Sequence, residues 1–365
     1  MTWRMRAAVL RATGAPLTIE EVSVPVLGRG QVLVRMQLAA VCHSQKLEVS
    51  GARGPDRFLP HLIGHEGVGI VEEVGPGVAK VQPGEQVILS WIRGSGTAAD
   101  PIQYQSSQGP VHAGPVAVFC EMPVVSEQCV TRLHPAIKPE AAVLAGCALP
   151  TGAGTILSMS PTDPQGAVCI IGAGGVGLAA VCGAVLAGWP MIVAVDLRVA
   201  RLERAKALGA THVIPAGAEP FERAARELTR GAGFDVVVEC AGARSSMEAA
   251  VRLAKPCGGR TVIVGNLPMG ETIQVNPFDL IAGRSLWGSW GGNVAPDTDL
   301  PRMARWAQEG RVPSSLLLGD RFPLTAVNEA LASLDSEEPG RPVLDCAAPI
   351  PQRSAASSAR EMAPA

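Results

Sequence analysis

Aromatic side chains are scarce in this 365-residue chain: six Trp, six Phe and one Tyr make up 4% of it. So few rings offer no stacking platform for single-stranded nucleic acid. An excess of either charge is also missing. Lys and Arg number 31 against 33 Asp and Glu, a net charge of −2, which speaks against a basic nucleic-acid binder. Charged residues are 18% and hydrophobic residues 47%, too apolar a balance for a mainly disordered chain. A disulfide framework is absent too, since the nine cysteines are odd in number and irregularly spaced. The first residues carry Arg4, Arg6 and Arg11 and no apolar run suited to secretion. These features predict a cytoplasmic protein, in which clustered cysteines bind metal or do chemistry. No charge occurs between residues 164 and 195, long enough to span a bilayer, but Gly172, Gly174, Gly175, Gly177, Gly183, Gly188 and Pro190 break the run. It reads as strand, glycine turn, buried helix, turn and strand, with no membrane partner.

Glycine (41) and proline (30) are plentiful, and they divide the chain into two rhythms. Up to about residue 148, short strands such as Gln31–Ala40, Val68–Val74 and Glu85–Ser90 alternate with Pro/Gly turns, which predicts a compact β-rich domain. Residues 93–115, rich in Gly, Ser, Ala, Pro and Gln, read as a long loop. From about 149 strands and helices alternate. Ala167–Ile171, Met191–Val195, Phe234–Cys240 and Arg260–Gly265 read as strands. Helices follow near Gly175 and over Arg198–Leu208 and Ser246–Lys255. That alternation predicts an α/β unit, a doubly wound parallel sheet covered on both faces. Two helices, Leu300–Glu309 and Ala326–Leu334, come later, and the Ala/Ser/Pro/Arg-rich stretch 349–365 reads as a disordered tail.

Gly172-Ala173-Gly174-Gly175-Val176-Gly177 fits G-x-G-x-x-G. It follows an apolar strand, opens a helix, and lies 19 residues before Asp196, at the end of the next strand. In that context the motif predicts a dinucleotide site. Gly172 permits the tight turn, Gly174 lets a pyrophosphate approach, and Gly177 lets helix and strand pack closely. The helix start offers free N–H groups to the phosphates. Asp196 would bind the adenosine ribose and repel a 2′-phosphate, favouring NAD(H). Arg198 and Arg201 are near enough in sequence to reach the same ribose.

Cys42, His65 and Cys147 lie in the β-rich part, with Glu66 beside His65. Two thiolates, an imidazole and an open position suit a catalytic zinc. Taken singly, each residue would read as core.

The segments Ala40-Val41-Cys42-His43-Ser44, Gly64-His65-Glu66-Gly67-Val68-Gly69, Pro83-Gly84-Glu85, Gly146-Cys147, Thr151-Gly152, the glycine turn and Gly283-Arg284-Ser285 stand in a telling order. On them the chain resembles the zinc-dependent medium-chain alcohol dehydrogenases over nearly its whole length. The resemblance implies a GroES-like catalytic domain (1–148 and 291–348) and a Rossmann cofactor domain (149–290). It implies one catalytic zinc on Cys42, His65 and Cys147, with Glu66 a transient ligand. Ser44 matches the hydroxyl that takes the substrate proton, and His43 and Arg341 match positions at the pyrophosphate. Thr151 and Val176 match residues packing the nicotinamide, and Val264 and Ser289 match positions near its carboxamide. Trp91 matches a wall of the substrate pocket. Trp290 and Trp287 fall at the pocket or at a subunit contact.

The sequence departs from the family at four places. Arg93 to Val118 holds no cysteine, so the family's second, structural zinc is not expected. Leu47 stands where a relay histidine is usual, and Gln45 where a second carboxylate is usual. Arg53 replaces an acidic residue found in the glutathione-dependent formaldehyde dehydrogenases. Lys46, Arg53, Arg57 and Arg93 raise the prospect of an anionic substrate. The resulting expectation is NAD-linked, zinc-dependent interconversion of an alcohol and a carbonyl compound in a homodimer or homotetramer. The alternatives are reduction of an activated C=C or C=N bond by NAD(P)H, and a non-catalytic cofactor-binding protein.

Overall fold

The computed structural model describes residues 3–161, 164–217, 221–336 and 340–347, so the tail at 349–365 lies outside the described residues. In the first half, Arg4–Leu10 pairs antiparallel with Thr18–Ser23. With Ile102–Ser106, Gly109–Ala113 and His61–Leu62 these strands close a barrel. A second sheet runs in the order Val130–Arg132, Gln86–Ser90, Glu66–Val74, Gln31–Ala40, Arg341–Asp345, Leu318–Pro323. Val124–Ser126 also pairs with Gln31–Ala40. Gln31–Ala40 is the longest of these strands and is buried at all but Arg35 and Gln37, which fits its largely apolar sequence.

The chain then builds a six-stranded sheet. Its spatial order is His212–Pro215, Met191–Asp196, Ala167–Ile171, Val236–Glu239, Arg260–Ile263, Ser285–Gly288, with every neighbour parallel. In chain order this is 3-2-1-4-5-6, the dinucleotide-binding arrangement. Ala167–Ile171 and Val236–Glu239 are buried throughout, as strands covered on both faces must be. The uncharged stretch resolves into the strand Ala167–Ile171, the helix Gly175–Ala187 and the strand Met191–Asp196. Among the described residues no single helix is long and apolar enough to cross a membrane.

Two expectations need correction. Residues 93–115 are not all loop, because Ile102–Ser106 and Gly109–Ala113 form a hairpin. Ile102, Tyr104 and Ser106 are buried while Gln103 and Gln105 face out, a two-residue period hidden by polar composition. The late helix spans Pro296–Gln308 and starts before Leu300, because Pro296 is already shaped for a first helical turn. Cys257 is exposed, in a turn with φ +56°. His61 is buried in a strand.

The loop without cysteines is organised by a carboxylate. Glu127, 1% exposed, accepts the N–H groups of Ala79 and Lys80 at 2.6 Å each and of Thr97 at 2.5 Å. Asp297 accepts the Ser95 N–H at 2.8 Å and pairs with Lys80. Burial pushes the Glu127 carboxyl up, but the three backbone donors outweigh it and hold it below the ordinary carboxylate range. Glu127→Gln turns an amide donor against a backbone N–H and is expected to cost about 2–3 kcal/mol at neutral pH. A depressed folded pKa stabilises above the unfolded value and loses that contribution as pH falls through the folded one. Denaturant unfolding of parent and variant should therefore show a gap at pH 7 that narrows in acid below the ordinary carboxylate range. A gap independent of pH would remove the carboxylate from this role.

Candidate metal and dinucleotide site

Cys42 caps the short helix His43–Val49, just past the strand Gln31–Ala40. His65 immediately precedes the strand Glu66–Val74. The two strands are antiparallel neighbours, with Ala39 opposite Gly67, so both residues emerge at one end of the sheet. Cys147 follows the turn Val143–Gly146, which is fastened there by the Ser90 hydroxyl donating to Gly146 O at 2.6 Å. One ligand atom from each of Cys42, His65 and Cys147 lies within 4.8 Å of the others. His65 Nε2 is buried with no hydrogen-bond partner, as is Ser44 Oγ. The Cys147 thiol beside Cys42 holds the Cys42 thiol well below its ordinary range, helped by the charge of Arg341, and Cys147 is pushed up in turn. Two sulfurs sharing a proton beside an unpartnered imidazole nitrogen are a donor set that fits zinc.

Gln45 touches both ends of this cluster. Its Oε1 accepts the Cys42 N–H at 2.8 Å, and its amide nitrogen is 2.5 Å from His65 Nδ1. Sequence comparison placed Gln45 opposite a carboxylate, but nothing in the sequence signals that it also caps the helix.

Glu66 and Arg341, given separate roles by resemblance, form an ion pair at 2.7 Å, with side-chain exposures of 0% and 4%. Glu66 also accepts the Ala148 N–H at 3.0 Å. Burial pushes the Glu66 carboxyl up while Arg341 opposes that shift. A Cβ on Gly175 would stand 3.3 Å from Arg341 Nη1, so the guanidinium also borders the glycine turn.

The turn has the geometry its motif requires. Gly172 has φ +93°, and a Cβ on Gly177 would fall 1.7 Å from Gly172 O. Asp196 ends its strand and accepts the Ala173 N–H at 2.7 Å and the Arg198 N–H at 2.9 Å. The Arg198 guanidinium is turned away, donating to the carbonyls of Leu334, Asp335 and Ser336. Arg201 donates to Leu334 O at 3.2 Å and lies 3.9 Å from Asp196. Thr151 sits in a π-helical turn, Pro150–Gly154. The Thr155 hydroxyl donates to Thr151 O and lies 2.6 Å from Ser289 Oγ, joining that turn to the end of the last parallel strand. Val176 opens the helix after Gly175, and Val264 directly follows the strand Arg260–Ile263. Gly174 precedes the same helix as its cap.

Trp91 stands edge-on to His65 at 6.3 Å, and Trp290 stands edge-on to Trp91 at 5.0 Å. Trp290 thus reaches toward the cluster through Trp91 while staying 77% exposed, and Trp287, 52% exposed, lies on the edge strand. Three of the four nearby cations are engaged. Lys46 pairs with Asp335, Arg53 lies 3.7 Å from Glu48, and Arg57 stacks on Phe58. His61 binds Leu62 O through Nδ1 and Asp56 through Nε2, both at 2.8 Å, which steadies the loop carrying Arg53. His43 opens its helix on the exposed side of the cluster.

Comparison with known proteins agrees with this arrangement. Residues 28–135 match the alcohol dehydrogenase GroES-like domain, and residues 175–309 match the zinc-binding dehydrogenase family. An S-(hydroxymethyl)glutathione dehydrogenase from Synechocystis sp. is 32% identical, over 90% of this chain and 95% of that protein. A class-3 alcohol dehydrogenase from Myxine glutinosa is 30% identical, over 93% and 97%. The crystal structure of benzyl alcohol dehydrogenase from Acinetobacter calcoaceticus superposes with a TM-score of 0.84 at 26% identity, covering 94% of this chain and 99% of that one.

Removing one partner of a fully buried ion pair leaves the other charge without water or counter-charge. Arg341→Met is therefore expected to destabilise the chain by about 3–5 kcal/mol. Adding Glu66→Gln should recover most of that loss, because no lone charge then remains buried. Unfolding curves for the two single variants and the double variant measure the coupling. Additive effects would show that the pair is not an energetic unit.

Proposed function

The chain belongs to the zinc-dependent medium-chain alcohol dehydrogenase family, and on that premise we propose that it oxidises apolar, ring-bearing alcohols to aldehydes with NAD, and reduces them in reverse. The observation that carries the proposal is the Cys42, His65 and Cys147 donor set with the Trp91 ring beside His65 and the Trp290 ring beside Trp91. Cys42, His65 and Cys147 would hold the metal, which when bound supplies a Lewis acid that lowers the pKa of a substrate hydroxyl and polarises a carbonyl. The nicotinamide supplies the hydride chemistry.

The chain's own groups do the positioning. Ser44, whose hydroxyl is buried and unpartnered, accepts the substrate proton. Leu47 cannot pass that proton on, and Lys46 is bound to Asp335, so the onward path leaves this helix. Thr151, Val176 and Val264 line the nicotinamide end, and the glycine turn takes the pyrophosphate. His43 and Arg341 border that pyrophosphate. Asp196 receives the adenosine ribose. With Arg198 committed to three carbonyls, no free guanidinium from that residue welcomes a 2′-phosphate, which supports NAD(H). Engagement of Lys46, Arg53 and Arg57 favours a neutral substrate over an anionic one, and Arg53 weighs against glutathione adducts.

The domains proposed are the β-rich catalytic unit, 1–148 with 291–348, and the cofactor unit, 149–290. The edge strand Ser285–Gly288 is proposed to pair with a second copy. It is open on one side and carries Leu286 (37% exposed) and Trp287 (52% exposed), with Ile281 (76% exposed) nearby in sequence.

Two experiments test this reading. Purified protein is expected to contain one zinc per chain, lost in Cys147→Ser. It should turn over benzyl alcohol with NAD at a kcat/KM at least about tenfold above that for S-(hydroxymethyl)glutathione, the margin one misfitted polar group commands. The opposite preference would overturn the substrate class. Absence of zinc from folded protein, with turnover of an enal but no ketone, would shift the assignment to the C=C reductase. For assembly, Trp287→Asp should move the sedimentation of the chain from dimer or larger toward monomer, and an unchanged profile would relocate the interface.

A further inference from the structure

We infer that Gln45 limits how tightly this chain holds its metal, by making the His65 ligand and the cap of the Cys42 helix compete for one amide oxygen. The inference rests on the catalytic-zinc reading above. Gln45 is 1% exposed, and its terminal amide lies between two groups. One is the Cys42 N–H, at 2.8 Å from Oε1. The other is His65 Nδ1, at 2.5 Å from Nε2. The Cys42 N–H can only donate, so the amide oxygen belongs on its side and the NH2 group faces Nδ1. A nitrogen that accepts from an NH2 group carries no proton. In the neutral ring the proton is then on Nε2, the atom that is buried without a partner and the one left for a metal once Nδ1 faces Gln45.

A metal needs the other tautomer. Its ligand nitrogen must offer a lone pair, so the proton must sit on Nδ1, where an acceptor is required. Turning the amide supplies that acceptor but places the NH2 group against the Cys42 N–H, so the helix loses its cap at the residue that carries a ligand sulfur. Either orientation leaves one donor facing another. With a metal on Nε2 the conflict holds whichever way the amide is turned. It arises because an amide has one acceptor end and two groups here need one. A carboxylate of the same length has two. Gln45 is thus a positioning residue that acts through His65 and Cys42, and it makes the metal more exchangeable than a carboxylate would.

Gln45→Glu is the isosteric test, because its two oxygens can serve Cys42 N–H and His65 Nδ1–H together. The zinc-loaded full chain and the variant are each competed against a chromophoric chelator. The variant is expected to retain zinc roughly ten- to a hundredfold more tightly, the range typical of groups that orient metal ligands. Equal or weaker retention overturns the inference. A folded parent that takes up no zinc overturns the reading beneath it, a distinct result. Should the variant fail to fold, 15N spectra of the chelator-stripped parent decide. His65 protonated on Nε2 supports the competition, and His65 protonated on Nδ1 overturns it.

Discussion

The ion pair between Glu66 and Arg341 is the constraint to which the rest of the site is fitted. Both side chains are withdrawn from water, so each depends on the other for its charge. Glu66 begins a central strand of the second sheet, and Arg341 begins the strand with which the described chain ends its return to that sheet. The pair therefore spans the whole parallel-sheet segment, which lies between its two members in the chain. The same guanidinium borders Gly175 and lends positive charge to the Cys42 and Cys147 sulfurs. One buried cation thus joins the metal donors, the dinucleotide turn and the last strand.

Around that centre, the chemistry is divided between two kinds of backbone. The metal donors come from the ends of antiparallel strands and a turn, where β pairing fixes position without using side chains. The dinucleotide end comes from the C-terminal edge of a parallel sheet, where a helix start is open to phosphate. The two are stitched by small polar links: Thr155 to Ser289, and Arg198 to the carbonyls at 334–336. Arg198 anchors that segment, and in doing so its guanidinium is turned away from the proposed ribose site.

Much of this was legible in the chain itself. The parallel strands are buried on both faces and so appear as uncharged runs. The glycine turn carries its stereochemistry in its letters, because Gly172 and Gly177 have no room for a Cβ. The metal donors were legible only through resemblance, since Cys42, His65 and Cys147 are far apart in sequence and meet through strand pairing. What escaped was interaction without a pattern. A carboxylate that gathers backbone N–H groups, as Glu127 does, looks like any surface glutamate in sequence. The pairing of Glu66 with Arg341 joins distant positions with no period between them. The hairpin at 102–113 alternates correctly, but its polar composition masked the alternation.

The carboxylate knot at Glu127 has a consequence for oxidative damage. A loop gathered by four thiolates on zinc can be opened by peroxide, because each sulfur is a nucleophile that climbs toward sulfenic and sulfinic acid. Oxygen ligands accepting backbone N–H groups have no such chemistry. In this chain the thiols proposed to hold metal are Cys42 and Cys147, and the loop from Arg93 to Val118 has none. Peroxide would therefore attack the chemistry and spare that loop, leaving a chain that has lost its catalyst but kept this part of its scaffold.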